Sequence, residues 1–297
     1  MPVGHSLSPV LHTAAHQALG LTWWRYDAIE CDEAGLPALL DSCGPDWAGL
    51  SLTMPLKRTV LPLLDRAEPL VTEVGAANTV ILAAAQRLGY NTDVPGMVSA
   101  LAERGVGSRP TVPGGVGSRP TVPGGAGSRP TVPDAGDRGQ VLILGGGATA
   151  CAALAAVRDL GWQAATVAVR DPARAADLDT AASRLGIAIT LRPFEPTATR
   201  GMSLIISTVP AGAADSFAQI FPALIPCPPA VFDVVYHPWP TRLAAAARQA
   251  GGIVIGGFDL LLHQAAVQVE LMTGRPAPLD AMRQAGLAEL ARRVEAT

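Results

Sequence analysis

Apolar positions recur at two spacings along this chain, and each change of spacing marks an expected element. Ser8-Pro9 opens a run with Val10, Leu11, Ala14, Ala15 and Ala18 on one face, which predicts a helix closed by Gly20. A strand is expected over Trp23–Ile29, a helix over Glu33–Ser42 and a strand over Trp47–Leu52. After a proline turn, Pro55–Asp65 reads as a helix. Thr79–Ala84 and Arg87–Tyr90 predict a hairpin around Ala85-Gln86, and Val94–Arg104 a helix. From residue 140 the alternation is more regular. Strands are expected at Gln140–Leu144, Ala165–Val169, Ile187–Leu191, Leu204–Ser207, Val231–Val235 and Ile253–Ile255. Helices are expected at Cys151–Leu160, Ala173–Leu185 and Arg242–Ala250, and two more, Leu260–Met272 and Leu279–Val294, in the C-terminal tail. Strands alternating with helices place the chain in the α/β class.

One segment breaks the pattern. Residues 105–134 read GVGSRPTVPG, GVGSRPTVPG, GAGSRPTVPD, a ten-residue unit three times over. Such a unit buries too little apolar area to offset its ordering entropy, so a flexible linker is expected, with a docking motif as the lesser alternative. The repeat divides the chain into an N-terminal portion, 1–104, and a second portion, 139–257, with 105–138 as the linker between them.

Composition narrows the classes. At 49% hydrophobic and 16% charged, 297 residues hold enough apolar side chains for one or two cores. A net charge of −3 gives no electrostatic footprint for nucleic acid. No run of about 18 apolar residues suggests a membrane span, and MPVGHSLSP lacks a signal-peptide layout, so a cytoplasmic location is expected. The cysteines Cys31, Cys43, Cys151 and Cys227 form no CxxC pair, so no metal site is expected. Of 22 basic residues only Lys57 is lysine, the one basic side chain besides histidine that releases its proton once its pKa is lowered.

Two groups of residues suggest chemistry. Val141–Leu144 runs into Gly145-Gly146-Gly147-Ala148-Thr149-Ala150, a strand, a glycine turn and a helix start. That arrangement lets backbone N–H groups meet a pyrophosphate. At the end of the next strand, Arg170 and Arg174 favour the 2′-phosphate of NADP, while Asp171 is the residue type that would bind the ribose of NAD. Earlier, the motifs HSLSP (His5–Pro9), LTMPLK (Leu52–Lys57), GAANT (Gly75–Thr79) and GYNTD (Gly89–Asp93) fall at element ends. Together they offer hydroxyls, an amide, a lysine and a carboxylate, a set suited to a small polyhydroxylated ligand. Singly each has a structural explanation: a helix cap at Ser8, turn formers at Asn78 and Asn91-Thr92, a solvated charge at Lys57.

These motifs in this order, with Asp233–Pro238 and Gly257–Gln264, resemble the shikimate dehydrogenases over almost the whole chain outside the repeat. The resemblance implies an N-terminal α/β substrate domain, 1–104, completed by C-terminal helices in 258–297, and a Rossmann-like NADP-binding domain, 139–257. It implies reversible NADPH-dependent reduction of 3-dehydroshikimate, with Lys57 and Asp93 as the catalytic pair. Ser6 and Ser8 would bind the substrate carboxylate. Thr53, Asn78, Asp93 and Gln264 would hold ring hydroxyls, and Tyr236 would line the site. Gly145, Gly146, Gly147, Ala148 and Thr149 would cradle the pyrophosphate, Arg170 and Arg174 the 2′-phosphate, and Val234 and Gly257 would flank the nicotinamide. The partner is a small molecule, and the protein a monomer or homodimer. Ser51, Val169, Asp171 and Leu260 depart from the family pattern, which leaves an NAD-dependent quinate/shikimate dehydrogenase as the alternative. A silent ligand-binding regulator on the same fold is the other, and retention of Lys57 and Asp93 speaks against it. Family members also carry a strand ahead of the segment that here begins Met1-Pro2-Val3, so a later start than the native one, or a destabilised product, is expected.

Overall fold

The computed structural model describes residues 4, 6–107, 139–224 and 227–295, with the side chains of 173 and 174 outside that description. The chain forms two α/β layers. In the first, α1 (Ser8–Ala18) and α2 (Leu36–Ser42) precede strand β1 (Gly49–Ser51) and the short α3 (Leu56–Thr59). Then come β2 (Arg66–Ala67), α4 (Pro69–Val74), the hairpin β3 (Thr79–Ala83) and β4 (Gln86–Tyr90), and α5 (Asp93–Glu103). The sheet order is β1-β3-β4-β2, antiparallel except for β2 with β4.

The second layer begins with β5 (Gln140–Leu144) and α6 (Ala148–Asp159), then β6 (Ala164–Val169), α7 (Ala176–Leu185) and β7 (Ala188–Pro193). It continues through β8 (Met202–Ser207), β9 (Ala230–Asp233), α8 (Arg242–Gln249) and β10 (Val254–Gly256). All six strands are parallel, in the order β7-β6-β5-β8-β9-β10. The strand order therefore reverses between β5 and β8, the place where doubly wound sheets open a crevice for a ligand. Val141–Leu144 are all buried because helices cover both faces, which is why these strands are continuously apolar rather than alternating. Two closing helices, α9 (Gly257–Thr273) and α10 (Leu279–Glu295), return to the first layer. Leu262, Ala265, Val269 and Met282 pack there against Leu11 and Ala15 of α1.

Several expectations change. Trp23–Ile29 is not a strand: among the described residues nothing pairs with it. It faces the outer edge of β1 across a cavity of about 680 Å³ lined by Trp23, Trp24 and Trp47, and a strand needs a ladder partner whatever its own alternation. The helix expected over Glu33–Ser42 starts only at Leu36. The helix expected over Pro55–Asp65 splits into α3 and a 3₁₀ turn at Leu61–Leu63, because Pro62 has no N–H to continue it. The hairpin turns at Ala84 and Ala85, both at positive φ, one residue earlier than expected. Of the repeat, Gly105–Gly107 follow the C-cap of α5, with Val106 buried, and the rest of the linker expected over 105–138 lies outside the described residues. So does the start, Met1–Val3, and His5.

Candidate active site

The site is assembled from the ends of short elements. Asn91 accepts the N–H groups of Asp93 and Val94 at 3.1 and 3.4 Å, capping the first turn of α5, and donates to the Ala76 carbonyl at 2.9 Å. Asp93 is thereby fixed on that turn, 5% exposed. Its Oδ1 accepts from Asn78 Nδ2 at 2.9 Å and its Oδ2 from Lys57 Nζ at 2.6 Å. Lys57 sits on α3, turned by the bond from Leu56 N–H to the Thr53 carbonyl and tied beside Asn78 by the Ala77 N–H on the Lys57 carbonyl, both 2.8 Å. The lysine side chain keeps 15% exposure, so it reaches the cavity while its charge stays matched.

That cavity, about 390 Å³, is lined by Ser6, Ser8, Thr53, Lys57, Asn78 and Asp93, with Gln264 of α9 and Tyr236 beyond β9. All eight substrate residues expected from the sequence thus lie together. Ser6 Oγ accepts the Ser8 N–H at 3.2 Å, which sets the entry to α1. Gln264 Oε1 accepts from Asn78 Nδ2 and Thr92 Oγ1, each at 3.3 Å. It comes this close because α5 carries Gly96 opposite, where a Cβ would stand 2.9 Å from the Gln264 N. Burial pushes the Tyr236 phenol up, with Arg293 partly opposing, so its O–H remains a donor.

Thr149, Val234 and Gly257 line the same cavity, joining it to the glycine turn. Gly145 has φ +112, and a Cβ there would meet Thr208 Oγ1 at 2.7 Å, so only glycine makes this turn. A further cavity of about 610 Å³ opens beyond it, lined by Gly145, Gly146, Gly147, Arg58, Arg170 and Asp171. The Ala148 side chain packs on the core, which leaves its backbone for a ligand. Arg170 lies 5.2 Å over the Phe194 ring and donates to the Ala213 carbonyl at 3.5 Å. The Arg174 side chain lies outside the described residues. A glycine cradle, a helix N-terminus at α6 and an arginine in one cavity fit a phosphorylated dinucleotide; Asp171 in the same cavity favours one without a 2′-phosphate. Among the described residues no cluster of side chains could hold a metal ion, and no helix is long and apolar enough to cross a membrane.

Two lining residues escaped the sequence reading. Tyr26 was hidden in the segment expected as a strand; its hydroxyl contacts Ser8 and Ser51, and its ring stacks on His12 with centroids 3.9 Å apart. Gln268 lies four residues beyond Gln264 on α9, a spacing that puts both on one face and gave the available signal.

A parallel sheet with a glycine turn at its reversal point, opening on a half-buried lysine–carboxylate pair, defines an α/β oxidoreductase of the dinucleotide-binding class. Residues 1–80 match the family described as "Shikimate dehydrogenase substrate binding domain", and residues 257–285 the "Shikimate 5'-dehydrogenase C-terminal domain". Shikimate dehydrogenase (NADP(+)) of Moorella thermoacetica is 31% identical over 95% of this chain and 88% of that protein. The crystal structure of Mycobacterium tuberculosis shikimate dehydrogenase superposes with TM-score 0.78 at 36% identity, covering 97% of this chain and 96% of that one. The Thermus thermophilus shikimate 5-dehydrogenase, solved in complex with NADP(H) and shikimate, gives TM-score 0.74 at 29% identity over 97% and 96%. The chain belongs to the shikimate dehydrogenase family.

Proposed function

We propose that this chain catalyses the reversible NADPH-dependent reduction of 3-dehydroshikimate to shikimate, a step toward chorismate and the aromatic amino acids. The observation that carries the reading is the 2.6 Å Lys57–Asp93 pair facing a polar cavity that Val234 and Gly257 also line. The Moorella relative is named for NADP(+), and the Thermus structure holds NADP(H) and shikimate together. Residues 1–104 with 258–297 serve the substrate and 139–257 the cofactor. The protein acts on this small molecule in the cytoplasm, as a monomer or homodimer.

When bound, the cofactor supplies the hydride. Gly145–Thr149 would hold its pyrophosphate, Arg170 and Arg174 its 2′-phosphate, and Val234 and Gly257 would flank its nicotinamide. Ser6 and Ser8 hold the substrate carboxylate beside Tyr236. Thr53, Asn78, Asp93 and Gln264 hold the ring hydroxyls and so fix the face of the ketone. As the carbonyl electron pair moves to oxygen, the Lys57 ammonium gives that oxygen a proton. The amine left behind regains one from solvent at its exposed edge. In oxidation Lys57 takes the proton from the hydroxyl instead. Asp93 holds Lys57 in line for both directions.

Lys57→Ala tests this: kcat with shikimate and NADP+ should fall about 10²–10⁴-fold with a smaller change in KM. Near-normal turnover would refute the assignment. Asp171, beside Arg170, favours a second reading, an NAD-dependent enzyme acting on quinate or shikimate. Comparing NADP+ with NAD+, and shikimate with quinate, in the same assay decides between them.

A further inference from the structure

Thr79 is fully buried and Gln268 is 1% exposed, and neither has a part in the proton transfer just described. Both lie on a continuous line of hydrogen bonds that ends on Asp93, and the polarity of that line is determined throughout. Asn78 receives the Thr92 N–H on Oδ1 at 2.8 Å and gives its Nδ2 to Asp93 at 2.9 Å. A flipped carboxamide would set N–H against N–H and oxygen against carboxylate. With Asn78 Oδ1 so placed, the 3.0 Å contact from Thr79 Oγ1 must carry the threonine hydrogen. Thr79 oxygen then accepts from Gln268 Nε2 at 2.9 Å. This turns Gln268 Oε1 toward Ser51 Oγ at 3.0 Å and His12 Nε2 at 3.3 Å, and both must donate. His12 is therefore the Nε2–H tautomer, with no partner for Nδ1 among the described residues.

We propose that Thr79 and Gln268 are positioning residues for the reaction, holding Asn78, and through it Asp93, in the one orientation that gives Oδ1 the Asn78 N–H and turns Oδ2 to Lys57. The inference rests on the Lys57–Asp93 reading of the site. Without the Thr79 hydroxyl, the Asn78 carboxamide loses a bond that fixes its plane, and Gln268 Nε2 becomes a buried donor with nothing to meet. The carboxylate is then free to turn away from the lysine.

The test is steady-state oxidation of shikimate by the full chain carrying Thr79→Val, which deletes the hydroxyl at near-constant volume, and Thr79→Ser, which keeps it. Thr79→Val should lower kcat about 10–100-fold while KM for NADP+ stays within about twofold, as expected of misplaced rather than missing groups. Thr79→Ser should recover to within about threefold of the parent, a rescue that lost packing alone would not produce. Gln268→Met, on a different element, should match Thr79→Val and supplies the result if that variant does not fold. The double variant should fall no further than the worse single one, because both act through one line. Thr79→Val turnover within about twofold of the parent, a serine variant as impaired as valine, or multiplying effects would overturn the inference alone. A parent chain inert toward shikimate, or an unimpaired Lys57→Ala, would overturn the functional reading first and this inference with it.

Discussion

Replacing His12 by glutamine measures what a buried neutral imidazole costs in acid. His12, on α1, is fully buried against Gln268 of α9, and burial lowers its pKa from 6.5 to about 3, with the bond to Gln268 opposing and His16 adding to the shift. The folded value is the depressed one, so between these limits the unfolded chain binds more protons. The contribution is complete above pH 6.5 and is lost as pH falls toward 3. Each pH unit inside the window removes about 1.4 kcal/mol, so going from pH 7.5 to 4.5 removes about 2.5 kcal/mol through this one group. Glutamine keeps an N–H near the Nε2 position and does not titrate. Urea unfolding followed by tryptophan fluorescence at the two pH values gives the comparison. The variant should lose about 2.5 kcal/mol less stability than the parent on acidification. A variant that tracks the parent would refute the reasoning. His16, also lowered by burial, keeps some acid sensitivity in both proteins. Asp233 works the other way: burial raises its carboxyl, so its contribution is present in acid and fades as pH rises through its folded value.

Two further outcomes follow from geometry. Arg170→Ala should raise KM for NADP+ about tenfold or more and leave KM for NAD+ nearly unchanged, since a guanidinium–phosphate pair is lost with only one of them; equal effects on both cofactors would remove Arg170 from the 2′-phosphate site. Gly286→Ala should lower Tm, although alanine is the better helix former by about 1 kcal/mol. A Cβ there would stand 2.5 Å from the Phe258 ring and 2.8 Å from Leu11 Cδ2, where α10 crosses α1 and α9. Overpacking of that kind costs about 1–3 kcal/mol, and a raised Tm in a thermal melt would count against it.

The second layer was legible because its physics is local and repeated. Val141–Leu144 and Val167–Val169 are apolar without interruption, as strands covered on both faces must be, and the glycine turn carries its own backbone signature at Gly145. The polar motifs could be placed at element ends for a similar reason: Asn91 and Ser6 cap the turns that present Asp93 and Ser8. What failed depended on partners distant in sequence. Trp23–Ile29 has strand composition and no strand beside it among the described residues. Six-residue α4 is too short for a periodic signal. Gln268 gains its place by meeting Thr79, Ser51 and His12, 189 or more positions earlier, which no local window contains.

That separation orders events in time. The wall supplied by α9 is translated after the whole parallel sheet, yet it completes the cavity whose proposed catalytic pair lies before residue 94. As the chain leaves the ribosome, Lys57 and Asp93 can meet early, but the cavity they face closes only when the helix bearing Gln264 docks. A nascent chain stalled inside the sheet would thus carry Lys57, Asp93 and the N-terminal polar wall of the cavity without the side that Gln264 and Gln268 supply.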